Sequence, residues 1–462
     1  MQIILNWRQT DDGVVVGFMF GTLKLQVCRP DIVRVVYTRQ KDLPPATSDV
    51  VIKSDWPATP FTVEDTASEL LLQTDELQVA LSRLHGTLHF RTRDGRRLLS
   101  ERKVMEIREA EIQGQRASGS TLNFGLTEDE GIYGLGQFQH GHINQRRSWQ
   151  GADAKPLELV QDNEQIVVPC YLSTQGYGVL FNTYSRITVA EPMVISNEWL
   201  LNDAVDYYFL YGPEFDRIVS TYRELTGAAP MFPKWAYGFW QSRCYYDSQS
   251  ETEGVVAHYR RKGIPLDAMV VDYFHWRAGC GSMEFDQQNW PDPAAMAETL
   301  HRRNVKLMVS VWPSFQPGNS NHDEMVKRDW LLDHPRDCFL GRHYDPFNPE
   351  AGQAVWKMVE KSHLARGVDA WWLDASEPED WEGWWKQRVM TAAGPCARVF
   401  NTFALRHTGH FYHGQREAAP EKRVYILARS GYAGQQRHAA ASWSGDITTS
   451  FAAFKAQIPA GL

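Results

Sequence analysis

The 462-residue chain is long enough for two or more domains with sizeable cores. Its net charge of −8, its pI near 6.0 and the lack of a Lys/Arg block argue against a nucleic acid or an anionic membrane as partner. The 17 Trp, 18 Tyr and 21 Phe are a heavy aromatic load, which fits core packing and also fits a cleft in which rings stack on sugars.

Cysteine usage and the N-terminal residues bear on the compartment. The six cysteines are widely spaced, without a C-x-x-C pair, and this pattern favours free thiols in a reducing compartment over a disulfide or zinc framework. No signal peptide and no apolar stretch of membrane-spanning length is evident. We therefore expect a cytoplasmic protein, or a periplasmic or secreted one if the N-terminus was trimmed. We also expect no cofactor and no metal.

Residues 1–230 are predicted to form an N-terminal β-sandwich domain. Short β-rich runs recur there, separated by Gly, Pro or charged turns. The spaced glycines of Gly131–Gln137 lack the following helix that a dinucleotide loop needs, so we interpret them as tight turns between strands. Residues 213–225 are predicted to form a helix that ends at Gly227 and closes the domain.

Residues 231–462 alternate between apolar strands and amphipathic helices, which predicts a parallel sheet and most simply a (β/α)8 TIM-type barrel. About six of the eight strands are present, at residues 237–241, 268–274, 305–312, 368–373, 424–428 and 439–443. A barrel closes only with all its strands. We expect the chain alone to be inactive or poorly soluble unless a second polypeptide or a further C-terminal segment completes it.

The segment Gly367–Glu379 is the centre of the functional interpretation. A buried apolar strand ends there at a carboxylate, Asp374, and α/β barrels place their chemistry at the carboxyl ends of strands. The alternative is structural, with Ser376 as the N-cap and Pro378 as the first residue of a following helix. Both interpretations hold together if Ser376 is the cap and Asp374 the reactive group.

Asp272 and Asp446 also follow apolar strands, so a barrel would bring them to the same rim as Asp374. Two carboxylates about 5–5.5 Å apart support double displacement at a glycosidic bond. Asp446 lies in the turn-prone sequence WSGD, however, where an Asx-turn is the competing interpretation.

Further strand-end residues suit a sugar site. Arg429 suits a clamp on a carboxylate or sugar hydroxyl, or an ion pair within the barrel wall. Trp312 and Tyr273 supply aromatic surface for a sugar, or alternatively cap the barrel core. The spaced histidines His407, His410 and His413 lack the H-E-x-x-H arrangement and, on a helix, diverge too far to bind one metal ion.

Four segments in order resemble glycoside hydrolase family 31: PKWAYGFWQSR at Pro233–Arg243, WWLDASEPE at Trp371–Glu379, RSGYAGQQR at Arg429–Arg437 and WSGD at Trp443–Asp446. That family comprises retaining α-glycosidases with an N-terminal β-sandwich and a (β/α)8 barrel. The resemblance implies that Asp374 is the nucleophile and Asp446 the acid/base. It also implies that Asp272 holds sugar hydroxyls, and that Arg429 and Trp443 line the subsite where the bond is cleaved.

The DASEP form of the nucleophile motif is most similar to the α-xylosidase branch, which acts on xyloglucan-type oligosaccharides. An α-glucosidase or α-transglucosylase of the same family is the main alternative. An inactive carbohydrate-binding or interaction protein is the alternative of another class. We expect an oligosaccharide as substrate, and the sequence leaves the oligomeric state open.

Overall fold

The computed structural model describes residues 4–45, 47–150, 154–276, 279–333, 341–379 and 389–462. The chain divides into two compact units. The first comprises Met1–Ala228 with Tyr432–Gly434 and Asp446–Leu462, and the second comprises Ala229–Gly431 with Gln435–Gly445. The predicted domain ranges 1–230 and 231–462 stay a prediction beside these units.

The first unit consists mainly of two antiparallel sheets. Its strands are β1 (Ile4–Thr10), β2 (Gly13–Phe18), β3 (Gly21–Arg29), β4 (Ile32–Thr38), β5 (Thr62–Asp65), β6 (Glu69–Gln73), β7 (Leu77–Ser82), β8 (Leu88–Thr92), β9 (Arg97–Ile112), β10 (Gln115–Gly125), β11 (Ile132–Gln137), β12 (Leu157–Leu159), β13 (Ile166–Ser173), β14 (Tyr177–Phe181), β15 (Ile187–Ala190), β16 (Val194–Asn197) and β17 (Ala204–Tyr211). The sheet orders are β1-β2-β3-β4-β17-β14-β13-β11 and β12-β15-β16-β10-β9-β8-β7-β6-β5.

The two sheets pack face to face, which confirms the predicted sandwich. Buried and partly exposed residues alternate along β8, so one face of this strand points into the core. From that face Phe90 stacks on Phe209 of the other sheet, with ring centroids 4.1 Å apart. Stacked aromatic pairs of this kind add to the burial energy of a core.

The prediction of tight turns at the spaced glycines was wrong, because β11 runs through them as a strand. Its register with β13 shifts between Gly134 and Gly136, which have φ of +91° and +128°. A Cβ at Gly136 would lie 2.0 Å from the carbonyl oxygen of Ile166. The glycines therefore serve an irregular strand that approaches its neighbour closely.

The second unit contains a parallel sheet. Its strands are β18 (Trp240–Gln241), β19 (Ala268–Val271), β20 (Lys306–Val311), β21 (Ser314–Phe315), β22 (Arg342–His343), β23 (Ala370–Leu373), β24 (Met390–Thr391), β25 (Gly394–Pro395), β26 (Ile426–Ala428) and β27 (Ala440–Ser442). Six of them pair in parallel in the order β18-β19-β20-β23-β26-β27. This confirms an incomplete TIM-type barrel with six strands in the part of the chain that the structure describes.

The α-helices are α1 (Phe215–Thr226), α2 (Gln249–Arg261), α3 (Pro293–Arg302), α4 (Ser320–Lys327), α5 (Pro349–Ser362), α6 (Cys396–Val399), α7 (Phe403–Ala418) and α8 (Phe451–Gly461). Short 3-10 helices occur at Gln145–Ser148, Leu201–Asp203, Lys234–Tyr237, Leu364–Arg366, Phe400–Thr402 and Gln435–His438. Gly227 follows α1 as predicted. In the described ranges, no helix has the length and apolar character needed to cross a bilayer.

The parallel strands β19 and β20 are buried on both faces, which explains their continuous apolar sequences. In β19, Met269 and Val271 belong to the cluster that the helices cover, whereas Val270 belongs to a separate cluster on the other face. Leu307 and Met308 of β20 divide in the same way. The apolar layers on both faces hold the strands in register, so the carboxyl ends of the strands form one rim.

Five cysteines are free thiols in the structure: Cys28, Cys170, Cys244, Cys280 and Cys396. Cys338 lies outside the described residues.

A buried carboxyl group stands out in the core of the sandwich. Glu101 is only 3% exposed, and its Oε2 accepts a hydrogen bond from the backbone N–H of Leu88 at 2.8 Å. Its Oε1 has no hydrogen-bond partner among the described residues. Burial raises the pKa of Glu101 to about 8, against the smaller opposing effect of the Leu88 hydrogen bond. In the folded protein at neutral pH, Glu101 must therefore either bind a proton or remain charged while buried, and both cost free energy.

We expect Glu101→Gln to stabilise the protein relative to the wild type, and to do so more at pH 8 than at pH 5. The folded-state pKa lies above the unfolded value, so the wild-type protein loses stability as pH rises from about 4 towards 8. Gln stays neutral over that range and keeps an acceptor for Leu88. The melting temperature should rise by at least about 3 °C more at pH 8 than at pH 5. The exposed Glu106→Gln on the same strand is the control, and equal shifts in the two variants would contradict the prediction.

Candidate active site

Five of the predicted site residues directly follow parallel strands: Asp272, Trp312, Asp374, Arg429 and Trp443. The last pairings of the central strands are Val311 with Leu373, Leu373 with Ala428, and Ala428 with Ser442. The next residues, Trp312, Asp374, Arg429 and Trp443, therefore stand in one row at the rim. Asp272 lies lower, because the β19 residue before it pairs with Val309.

A buried arginine joins the strand-end carboxylates. The Nη1 of Arg429 lies 3.3 Å from Oδ1 of Asp374. Its Nε and Nη2 donate to the two carboxylate oxygens of Glu377 at 2.7 and 3.1 Å, and Nη2 also donates to Glu379 at 2.9 Å. The Arg429 and Glu377 side chains are each only 3% exposed. Of the two interpretations of Arg429, the structure shows the ion pair with acidic neighbours; contact with a substrate stays a prediction.

Among the described residues, the carboxylates that pair with Arg429 outnumber the guanidinium. Three carboxylates and one guanidinium give these four described groups a formal charge of −2 when all are ionised. Burial raises the pKa of Asp374 to about 7; Arg429 acts against this shift, whereas Glu377 and Asp272 add to it. Burial lowers the pKa of Arg429, but Glu377 and Asp374 outweigh it, so the guanidinium stays charged. Site carboxyls of this kind suit acid, base or nucleophile roles.

The local turn after β23 accounts for how these carboxylates converge. Oδ1 of Asp374 accepts the N–H of Ala375 at 2.8 Å, and Ala375 has a positive φ of 52°. The hydroxyl of Ser376 donates to the carbonyl of Leu373 at 3.1 Å, which closes the turn over the strand end. The structural alternative was a helix with Ser376 as its cap and Pro378 as its first residue. Residues 376–378 form a turn, and residues 380–388, where such a helix would continue, lie outside the described residues.

Asp272 lies in a turn that two buried histidines brace. Its Oδ1 accepts the N–H of Tyr273 at 2.7 Å, and its carbonyl oxygen lies 3.0 Å from Nδ1 of His275. A carbonyl only accepts, so His275 donates from Nδ1, and Nε2 of His363, 3.4 Å away, must donate to the remaining Nε2. Burial lowers the pKa of His275 to about 4, which keeps the ring neutral.

Aromatic rings line the rim beside these groups. The Tyr273 and Trp312 ring centroids lie 6.3 Å apart, and Trp443 packs edge-on against Trp372 at 5.6 Å. Trp312 is buried to 9% exposure against Ala375, and its Nε1 has no hydrogen-bond partner among the described residues. Tyr273 remains partly exposed. The rim thus carries aromatic rings beside the strand-end carboxylates, with Tyr273 the more exposed and Trp312 largely buried.

Asp446 is placed by a different contact. It belongs to the first compact unit, where its Oδ2 accepts from Nδ2 of Asn163 at 2.6 Å and its backbone N–H donates to Oδ1 of Asn163 at 3.0 Å. Its role, and its partnership with Asp374, stay predictions.

The spaced histidines of α7 take separate partners. His407 bonds the Tyr344 hydroxyl at 2.7 Å, and His410 donates to the carbonyl of Pro346 at 2.8 Å. His413 lies beside His438, with ring centroids 5.5 Å apart. Within the described ranges, no group of three or more His, Cys, Asp or Glu side chains is arranged to hold a metal ion.

Comparison with known proteins bears on the family. Residues 229–462 match the model of the glycosyl hydrolases family 31 TIM-barrel domain, and residues 22–189 match the glycosyl hydrolase 31 N-terminal galactose mutarotase-like domain. The chain belongs to glycosyl hydrolase family 31. The resemblance noted in the sequence is thereby confirmed, together with the fold class that it implies.

Family 31 relatives with curated descriptions include an alpha-xylosidase of Saccharolobus solfataricus, 38% identical over 348 residues, which are 73% of this chain and 46% of that protein. A family 31 glucosidase of Pseudescherichia vulneris is 34% identical over 74% of this chain and 64% of its own length. The chain therefore spans about half to two thirds of these relatives.

Among solved structures, a family 31 alpha-xylosidase from a soil metagenome, complexed with xylose, superimposes with a TM-score of 0.89 at 28% identity. The match covers 99% of this chain and 70% of that one. The alpha-xylosidase of Xanthomonas citri gives a TM-score of 0.88 at 25% identity, over 98% of this chain and 67% of that one.

We expect Arg429→Met to destabilise the protein by about 3–5 kcal/mol, because Glu377 and Asp374 would be left buried without their counter-charge. The loss of unfolding free energy should be larger at pH 8 than at pH 5, because the unpaired carboxylates can bind protons and become neutral at the lower pH. Arg423→Met, at an exposed guanidinium that donates to the carbonyl of Phe232, is the matched control. Thermal unfolding at both pH values measures the effect, and a pH-independent loss would contradict the electrostatic explanation.

Proposed function

We propose that the protein is a retaining α-glycoside hydrolase that releases α-linked xylose from xyloglucan-type or other α-xylosyl oligosaccharides. The observation that carries the proposal is the buried carboxyl of Asp374, which follows a barrel strand and lies beside Arg429, in a network whose described members carry excess negative charge. Membership of family 31 and the alpha-xylosidases among the similar proteins support it.

In the proposed mechanism, Asp374 attacks the anomeric carbon of the sugar while Asp446 gives its proton to the departing glycosidic oxygen. The bond from carbon to that oxygen breaks, and a covalent glycosyl ester forms on Asp374. Asp446, now ionised, takes a proton from water, and the water oxygen displaces Asp374 from the anomeric carbon. The two displacements together retain the configuration of the sugar.

The charge of the network suits this chemistry. Positive charge develops on the sugar ring in an oxocarbenium-like transition state. Fixed carboxylates at Glu377 and Glu379 stabilise that charge more than they stabilise the neutral substrate, which is the difference that lowers a barrier. Arg429 holds these carboxylates in place and offsets only one of their charges.

Several rim residues are proposed substrate contacts. The carboxyl of Asp272 is the proposed acceptor for sugar hydroxyls, and Trp312, whose ring lies near that of Tyr273, is a proposed aromatic contact. Tyr273 and Trp443 are proposed to supply aromatic surface for the ring faces.

An α-glucosidase is the second candidate function, because relatives with that description occur beside the alpha-xylosidases. One is the alpha-glucosidase of Saccharolobus solfataricus, 24% identical over 71% of this chain. Glucose differs from xylose by an additional hydroxymethyl group, so the two functions predict different preferences at a single position of the sugar ring.

We expect an α-configured cyclitol epoxide to label the natural protein at Asp374. Peptide mapping should recover the label on that residue, and Asp374→Asn should abolish labelling. Asp369→Asn is the matched control, since Asp369 precedes the same strand at its N-terminal end, away from the rim, where it pairs with His301 at 2.6 Å and with Lys306 at 3.1 Å. Faster labelling by the xylo-configured epoxide than by the gluco-configured one supports the xylosidase. A label on another residue would refute the role of Asp374.

We also expect the acid limb of the kcat/KM profile to lie well above pH 5. The nucleophile must be ionised, and a carboxyl with a pKa of about 7 loses its charge as pH falls through that range. Glu377→Gln removes a charge that raises the pKa of Asp374, so it should move the limb to lower pH. A limb near pH 4, or no shift in the variant, would contradict this origin of the limb.

A further inference from the structure

A tight turn of the sandwich presents Asn163 to the segment that carries Asp446. Asp162 and Gln165 form an antiparallel bridge that closes the turn between β12 and β13, and the N–H of Asn163 donates to Oδ1 of Asp162 at 2.8 Å. Gln165 braces the same turn by donating to the carbonyls of Glu158 and Val160 at 3.0 and 2.8 Å. The backbone that carries the Asn163 side chain is therefore held in place by several hydrogen bonds.

The amide of Asn163 makes two hydrogen bonds to one residue, Asp446. Nδ2 donates to Oδ2 at 2.6 Å, and Oδ1 accepts the backbone N–H at 3.0 Å. A carboxylate oxygen accepts from the amide nitrogen and a backbone N–H donates to the amide oxygen, so only one orientation of the Asn163 amide satisfies both bonds. Together they fix the carboxyl group relative to its own backbone.

Asp446 has little secondary structure to fix it. It lies in an irregular segment between β27 and α8, after Gly445 with its φ of +75°. A proton donor must lie within hydrogen-bond reach of the oxygen that it protonates, and a displacement of about 1 Å can cost a hundredfold in rate. Side-chain contacts are therefore needed to orient this carboxyl, and Asn163 supplies one bond to the carboxyl and one to the backbone N–H of the same residue.

We propose that Asn163 is a positioning residue that orients the Asp446 carboxyl for proton transfer to the leaving group. This inference rests on the proposed function and on the acid/base role of Asp446. Asn163 acts through Asp446, so its contribution depends on how much the leaving group needs a proton.

The test compares Asn163→Ala with the wild type in the natural protein on two substrates. An α-xylosyl disaccharide has an alkoxide leaving group that needs protonation, whereas fluoride departs from α-xylosyl fluoride with little assistance. We expect kcat/KM to fall by about 10- to 100-fold for the disaccharide, as for partial loss of general acid catalysis. The loss for the fluoride should be about threefold or less, because that departure does not use the acid.

Gln165→Ala is the matched control, because it weakens the same turn without contacting Asp446. In this control variant, kcat/KM should change by the same factor for the disaccharide and for the fluoride. Equal losses for both substrates in Asn163→Ala, or no loss for either, would overturn the positioning role while leaving the proposed function intact. A wild-type protein that turns over neither α-xyloside nor α-glucoside would overturn the proposed function and this inference together.

Discussion

The ion pair between Arg429 and Glu377 is the interaction on which the rest of the candidate site depends. It joins the end of β26 to the turn after β23, and it occurs where both side chains are almost completely buried. A buried charge pair is tolerated only when its hydrogen bonds are satisfied, and here the guanidinium bonds three carboxylates. The same contacts that stabilise the charges also determine where Asp374 stands.

The balance of charge in this network connects stability with the proposed chemistry. A structural ion cluster would ordinarily be neutral, because excess buried charge costs folding free energy. Burial raises the pKa of Asp374, and the neighbouring carboxylates Glu377 and Asp272 raise it further against the opposing effect of Arg429. Functional sites commonly retain such an unfavourable arrangement, because it is the transition state rather than the folded protein that benefits.

Much of the fold and the rim residues could be predicted from the sequence, since strands buried on both faces appear as continuous apolar runs. The residue after each run is then a rim residue, which is how Asp374 and Arg429 were found, whereas Trp312 was predicted as the last residue of its strand and in fact follows it. Glu377 and Glu379 were missed, although they lie in the same motif. Their convergence on Arg429 depends on the positive φ of Ala375, which no hydrophobic period encodes.

Contacts between residues distant in sequence were beyond prediction for the same reason. Asn163 and Asp446 are 283 positions apart, and nothing in either segment points to the other. Tyr273 and Phe274 were predicted to continue a strand, as the end of the apolar run 268–274. In the structure β19 ends at Val271, and the bond from His275 to the Asp272 carbonyl turns the chain instead. The spaced glycines of β11 lack side chains, so they could not contribute to the alternating apolar pattern from which a strand is predicted.

Because four rim residues stand in one row, the site depends on the number of residues in each strand that leads to it. Side chains along a strand point alternately to opposite faces, so adding one residue within β26 would replace Arg429 in the row by Ala428. The guanidinium would then stand one step beyond Asp374 and face the opposite side of the sheet. We therefore expect these strands to tolerate amino-acid substitutions more readily than the insertion or deletion of a single residue.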